Sequence, residues 1–461
     1  MRTIMRPIAR HPFGLLIAII VVIGVAGSIV GPVALAQSPE IAPRWSFTGS
    51  LNTNRYEHTA TLLPNGKVLV VGGGGFPCQG NFCYSTVNGS AEVYDPLTGI
   101  WSYTGDLNRR TGHSATLLQN GQVLVVGGSN YGYDIGKFSY VNTAEAYDPA
   151  TGKWRRAGDF NSTYTGHSAT LLQGGKVLVV GVLPDTRICE AQLYDPISER
   201  WNSTSAPANA GRLTLLANGK VLVVSGNSSE LYDPSLGTWS STGNLNAIRL
   251  AATVTLLRSG KVLATGTGEN DIAKAELFDP ETETWSGTGN PLALRGTATM
   301  LADGRVLLAG GYDSRRSVTG EEIYDPDTGM WSFTSHLITA RSGHTATLLP
   351  DGKVLVTGGV DGDFDEGTIF HSSAELYGPI AIARIMSASV SGKHLIIVGE
   401  NFDPGAKILL NGDEQTTRND SQNPKTALIG KKVGKKIKPG DKLQVRNPNG
   451  SVSAEFSFTG L

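Results

Sequence analysis

The sequence predicts an all-β protein: a seven-bladed β-propeller closed by an N-terminal strand, followed by a small β-sandwich. Three observations carry this expectation. First, two Val/Leu-rich runs flank a polar-Gly or Gly-Gly pair seven times, at Asn65-Gly66, Asn120-Gly121, Gly174-Gly175, Asn218-Gly219, Ser259-Gly260, Asp303-Gly304 and Asp351-Gly352. Such pairs tolerate the positive φ that tight hairpins demand. Second, each hairpin is followed by a third run ending in Tyr or Phe, as in Tyr94-Asp95-Pro96, and then by Trp in all units but the last. The period of roughly 40 to 55 residues is that of a four-stranded blade. Third, the 461 residues include 58 Gly and only 17% charged residues, and almost no stretch after residue 45 sustains a 3.6 period.

At the N-terminus, Arg2, Arg6 and Arg10 precede an apolar run from Phe13 to Val30, and Ala34-Leu35-Ala36 follows. Residues 1–36 therefore form a signal peptide, or an uncleaved signal anchor attached to a membrane through residues 13–30. Either outcome places the chain outside the cytoplasm, as a secreted, periplasmic or cell-surface protein. In that compartment Cys78 and Cys83 form a local disulfide, with zinc as the alternative. Cys189 is left as a small buried side chain.

Residues 37–379 hold the seven units. Asp-Pro pairs preset a turn before the fourth strand, which starts at Trp101, Trp154, Trp201, Trp239, Trp285 or Trp331. The seventh unit stops at Tyr377-Gly378-Pro379 without a Trp. Trp45-Ser46-Phe47-Thr48, standing alone before the first hairpin, matches Trp331-Ser332-Phe333-Thr334. The N-terminal strand therefore completes the last blade and removes an open edge.

The order H-x-A-T, G-K-V-L-V-V-G-G, E-x-Y-D-P and then W resembles the kelch repeat over residues 45–379. The glycine pair departs from that pattern at Gly181-Val182, Ser225-Gly226 and Thr265-Gly266. This resemblance implies the propeller fold and says little about function. From residue 380 to 461 the repeat is gone, and alternating runs resemble an IPT/TIG immunoglobulin-like domain, whose G-x-N-F-x-x-G signature falls at Gly399 to Gly405.

Composition excludes few functions. Residues 37–379 carry 24 Lys and Arg against 33 Asp and Glu, and residues 380–461 carry 12 against 7. Neither balance makes the concentrated basic face that nucleic acid requires. Gly72 to Gly75 lacks the following helix of a phosphate loop. His58, His113, His167 and His344 share one register, as do seven threonines beginning with Thr61. A group present in most repeats suits structure better than catalysis, so the histidines are expected to hold turns. Arg55, Arg110, Arg249 and Arg341 either pair with acids such as Glu92, Glu145 and Glu276 or form an anion-binding ring.

The segment between the second and third strands is longest at Gly74 to Ser90, Ser129 to Thr143 and Val360 to Ser373, in three units that neighbour one another once the ring closes. A crown of loops should rise there. Its residues Phe76, Phe82, Tyr84, Tyr131, Tyr133, Phe138, Tyr140, Phe370 and His371 suit a protein or glycan ligand, or pack the loops down. Asp361, Asp363 and Asp365 resemble the start of a calcium loop, although Glu366 replaces its glycine and its last acid is missing. Lys431, Lys432, Lys435, Lys436 and Lys438 form a solvated loop or meet an anionic surface. The reading that emerges is an exported, non-catalytic recognition or adhesion protein for a protein or glycan partner. The alternative is an oxidase: the domain pairing is similar to that of galactose-oxidase-like radical-copper enzymes, but their Tyr-His pair is lacking and the tail offers only His394. No catalytic residue or cofactor is assigned.

Overall fold

The structure, a computed structural model, describes residues 43–461 except 76–77, 80–81, 84–85, 133–136, 161–163, 268–272, 293–295, 313–316, 363–367, 379–382, 404, 448–450 and 461. The signal segment lies outside the described residues. Among those described, no helix is long and apolar enough to cross a membrane.

The described residues are all β but for a 3-10 turn at Val433–Lys435, with many antiparallel sheets. Seven four-stranded sheets follow the seven sequence units. In the first, Thr59–Leu62, Val68–Val71, Ala91–Asp95 and Ile100–Thr104 pair in that order. Every residue of Val68–Val71 is buried, because this strand packs between neighbouring sheets on both faces. Gly66 makes the hairpin turn at φ 80°, where a residue with a Cβ would be strained. The innermost strands of successive sheets neighbour one another in a closed cycle, the seventh returning to the first. That is the arrangement of a β-propeller.

Aromatic pairs tie each sheet internally and to the one before it. Tyr94 stands opposite Trp101, with ring centroids 5.0 Å apart and planes inclined at 41°. The indole Nε1 of Trp101 donates to the Gly49 carbonyl at 2.7 Å, and the Tyr94 hydroxyl lies 2.7 Å from Thr48 Oγ1, both in the preceding segment. Trp154, Trp201 and Trp331 repeat the indole bond. The strand Arg44–Phe47 pairs with Ala374–Gly378 so that Trp45 meets Tyr377, and it fills the outer position of the last sheet.

Beyond the ring, two four-stranded sheets enclose a separate core that includes Leu395, Phe402, Ile408, Leu428 and Val445. The G-x-N-F segment has a steric basis here. A Cβ on Gly399 would come 1.9 Å from the Arg384 carbonyl oxygen and 2.6 Å from the Phe402 ring. Lys425 reaches Asp351 of the ring at 3.8 Å. Asp351 sits in a hairpin turn, at the end of its sheet opposite the start of the innermost strand.

Candidate functional site: the crowned end of the ring

The turns entering four of the seven innermost strands are built on a buried guanidinium. Arg55 donates to the carbonyls of Gly72 and Ser90, both at 2.9 Å, to Ser90 Oγ at 2.8 Å and to Glu92 at 2.9 Å. Glu92 in turn accepts the backbone N–H groups of Asn52 at 2.7 Å and Thr53 at 3.1 Å. Arg341 repeats this with Gly358, Ser373 and Glu375, and Arg110 with Gly127, Thr143 and Glu145. Arg249 pairs with Glu276. Burial lowers the pKa of all four, against the opposing pull of the paired carboxylates. Each of the four guanidinium groups is paired with a carboxylate inside the fold, so they form no free ring of four cations.

The glycine pair lets that turn dock on its neighbour. A Cβ on Gly72, at φ 60°, would sit 2.6 Å from the Arg110 carbonyl oxygen and 2.9 Å from His113 Cε1. The histidines then do something other than the expected turn-holding: each crosses to the preceding sheet. His58 Nε2 lies 3.0 Å from Thr345 Oγ1 and 3.2 Å from Thr357 Oγ1. His113 reaches Thr59 at 2.9 Å, His344 reaches Thr297 at 2.9 Å, and His167 Nε2 lies 2.9 Å from the Val126 carbonyl. Burial, with a nearby arginine, pushes His58 and His344 down to about 3 and His113 and His167 in the same direction. These are neutral imidazoles spanning sheet interfaces.

At this end of the ring a cavity of about 780 Å³ opens, lined in part by Glu57, Thr111, Ser129, Tyr140, Tyr164 and Arg212. The long loops rise from the same end, since Thr59 at the start of its strand faces Val71 at the end of the next. Ser129–Gly132 and Lys137–Tyr140 form a hairpin, Gly74–Gly75 pairs with Thr86–Val87, and Val360–Asp361 pairs with Ile369–Phe370.

Of the crown residues singled out by sequence, Tyr140 lines the cavity. Tyr131 and Phe138 stand opposite one another across the hairpin. Phe370 packs on Tyr56 with centroids 5.4 Å apart, and His371 is 9% exposed. Phe76, Tyr84 and Tyr133 lie outside the described residues, as do Asp363 and Asp365; Asp361 is half-buried on its strand. Cys78 and Cys83 stand opposite each other on paired strands, but their side chains, and hence the disulfide, lie outside what is described. Cys189 is half-buried, not buried, and its Sγ accepts the Ala210 N–H at 3.0 Å. Among the described residues no three His, Cys, Asp or Glu side chains converge as metal ligands. Glu57 and Arg212 escaped the sequence reading, although both break the repeat pattern and were detectable on that ground.

Residues 109–161 match the Kelch motif. Alpha-scruin of Limulus polyphemus is 22% identical over 51% of this chain and 27% of its own length. The F-box/kelch-repeat protein At1g67480 of Arabidopsis thaliana is 28% identical over 48% of this chain and 56% of its own. Kelch-like protein 25 of Xenopus tropicalis is 25% identical over 44% and 35%. The chain thus matches between about a quarter and just over half of these relatives. A fungal alcohol oxidase of the AA5 family, solved with copper, superposes at a TM-score of 0.60 and 16% identity over 91% of this chain and all of that one. That likeness concerns the fold. Together the motif and the relatives support a kelch-repeat protein.

Proposed function

We propose that this chain is an exported recognition protein that binds a protein or glycan at the crowned end of a seven-bladed kelch propeller. The seven four-stranded sheets are its blades, and residues 380–461 form an IPT/TIG-like immunoglobulin-fold module on the opposite end. The N-terminal segment directs export. The observation that carries this reading is the crowned cavity, where the repeating buried ties give way to side chains that differ from blade to blade.

Copper chemistry of the kind its structural neighbour supports does not fit these residues. The ring histidines sit one to a sheet interface with Nε2 engaged, and among the described residues no donor cluster converges. The test is binding of the full-length protein to a panel of glycans and surface proteins, beside a variant in which Asn130 to Ser139 is replaced by a two-residue turn. Binding lost in the variant supports the reading; binding that survives it removes the crown from the account.

A further inference from the structure

Two positions at the crowned cavity break the repeat, and they carry opposite charges. The residue before the ring histidine is glycine in three repeats, where Gly112, Gly166 and Gly343 adopt φ of 60, 56 and 60°. In the first repeat it is Glu57, held at φ 51°, a region that side chains disfavour. The surrounding backbone fixes it there: Glu57 N donates to the Gly343 carbonyl at 2.9 Å, and its own carbonyl accepts Gly112 N at 3.4 Å. The Glu57 carboxylate is exposed, and its hydrogen-bond partner among the described residues is the Thr111 hydroxyl at 3.5 Å.

The inner-strand position two before the repeated threonine is Thr59, Ser114, Ser168, Thr253, Thr297 or Thr345 in six repeats, and Arg212 in the fourth. Arg212 is exposed, lines the cavity and lies close enough to His167 to oppose its protonation. Its guanidinium makes no hydrogen bond or ion pair among the described residues. Repeats one and four are three steps apart in a cycle of seven, so the two charges line the cavity from opposite sides of the ring.

Hydroxyls from Thr111, Ser129, Ser225 and Tyr140 make up much of the remaining lining, beside the imidazoles of the ring histidines and the Glu276-paired Arg249, and Val224 is the one aliphatic side chain among the described lining residues. With one aliphatic side chain in it, this wall offers a protein hot spot few aliphatic anchors, whereas its hydroxyls and the Tyr140 ring suit a sugar. We propose that the cavity binds a saccharide bearing one carboxylate, of the uronic acid class, with the carboxylate on Arg212 and ring hydroxyls donating to Glu57. The guanidinium fork matches a carboxylate in two-point contact. An ionised Glu57 only accepts, so it takes hydroxyls and turns away a second anion. The volume suits a small oligosaccharide. This inference rests on the crowned end being the ligand-binding face.

The experiment is calorimetric titration of the full-length protein with a galacturonic acid trisaccharide and with its neutral galactose counterpart. Arg212→Ser and Glu57→Gly restore residues that sibling repeats carry, so both variants should fold. Arg212→Ser is expected to weaken the acidic trisaccharide at least about tenfold, the loss of one charged hydrogen-bonding group, and to leave the neutral one unchanged. Glu57→Gly is expected to weaken both. Equal affinity for the two sugars, or wild-type affinity in both variants, overturns the proposal. Binding of a peptide with Lys and Asp side chains that needs both residues, with no saccharide binding, overturns the saccharide class. Failure of every ligand to depend on the crown hairpin defeats the recognition reading itself, a separate outcome.

Discussion

Arg55 spends all five of its N–H donors inside the protein, two on backbone carbonyls, one on a hydroxyl and two on Glu92. Both partners of that ion pair are 0% exposed. Removing one leaves the other buried and uncompensated, so Arg55→Ala is expected to cost about 3–5 kcal/mol in urea denaturation; a loss below about 1 kcal/mol, the scale of an exposed pair, would contradict the account. Glu321 is the opposite case. It occupies a position held by Ala91, Ala144, Ala191, Ala275 and Ala374 in other repeats, and it is 0% exposed. Leu337 N donates to Oε1 at 2.7 Å, whereas Oε2 has no hydrogen bond among the described residues; His336 Nδ1 is 3.5 Å away and lies nearer the Thr319 carbonyl, at 3.2 Å. Burial, with Glu375 nearby, pushes this carboxyl from 4.5 up to about 8. Below pH 4.5 both folded and unfolded states hold the proton; between 4.5 and 8 the unfolded state releases it and the folded state keeps it, so stability falls as pH rises. Glu321→Ala should therefore stabilise the protein progressively more from pH 5 to pH 8, read as a rising difference in urea midpoint. A pH-independent difference would show that the carboxyl titrates normally.

At the scale of elements, the strand Arg44–Phe47 has the most to lose. Four residues pair with Ala374–Gly378, and Trp45 seats on Tyr377 at 5.1 Å while its indole donates to the Ser335 carbonyl at 2.9 Å. Trp45→Ala removes a large, 7% exposed side chain, which costs about 3–5 kcal/mol. Deleting residues 44–47 in addition exposes the strand Ala374–Gly378 as an open edge, and self-association in size-exclusion chromatography is the expected result. A monomeric deletion variant with the parent melting temperature would show that this strand closes nothing. The strand was legible because a lone tryptophan had no repeat of its own. The reach of the ring histidines was not legible: their spacing gives the turn, but the partner threonines Thr345 and Thr357 lie nearly 300 residues away from His58.

For the whole molecule, acid should act through the histidines together. Each is buried neutral, with its pKa depressed from 6.5, to about 3 for His58 and His344. Above pH 6.5 neither state binds the proton. As pH falls below that value, the unfolded chain protonates and the folded ring does not, so stability drops until the folded values are reached. Each histidine contributes up to about 1.4 kcal/mol per pH unit in that window. Urea midpoints should fall between pH 6.5 and 4, less steeply in His344→Gln; an unchanged slope would mean that His344 charges freely in the folded ring.

The amino-acid order by itself determined the repeating unit, the number of hairpins, the strand that closes the ring and the place of the long loops. These are local properties: turn chemistry, period-two burial and the length of each connection. Only the tertiary structure decided what the repeated polar residues are for, because Arg55, His58 and their equivalents acquire partners by folding across sheets. It likewise brought Glu57 and Arg212, 155 positions apart in the chain, to one cavity. A linear pattern records that each departs from its siblings; the closed cycle is what brings the two charges to opposite sides of one cavity.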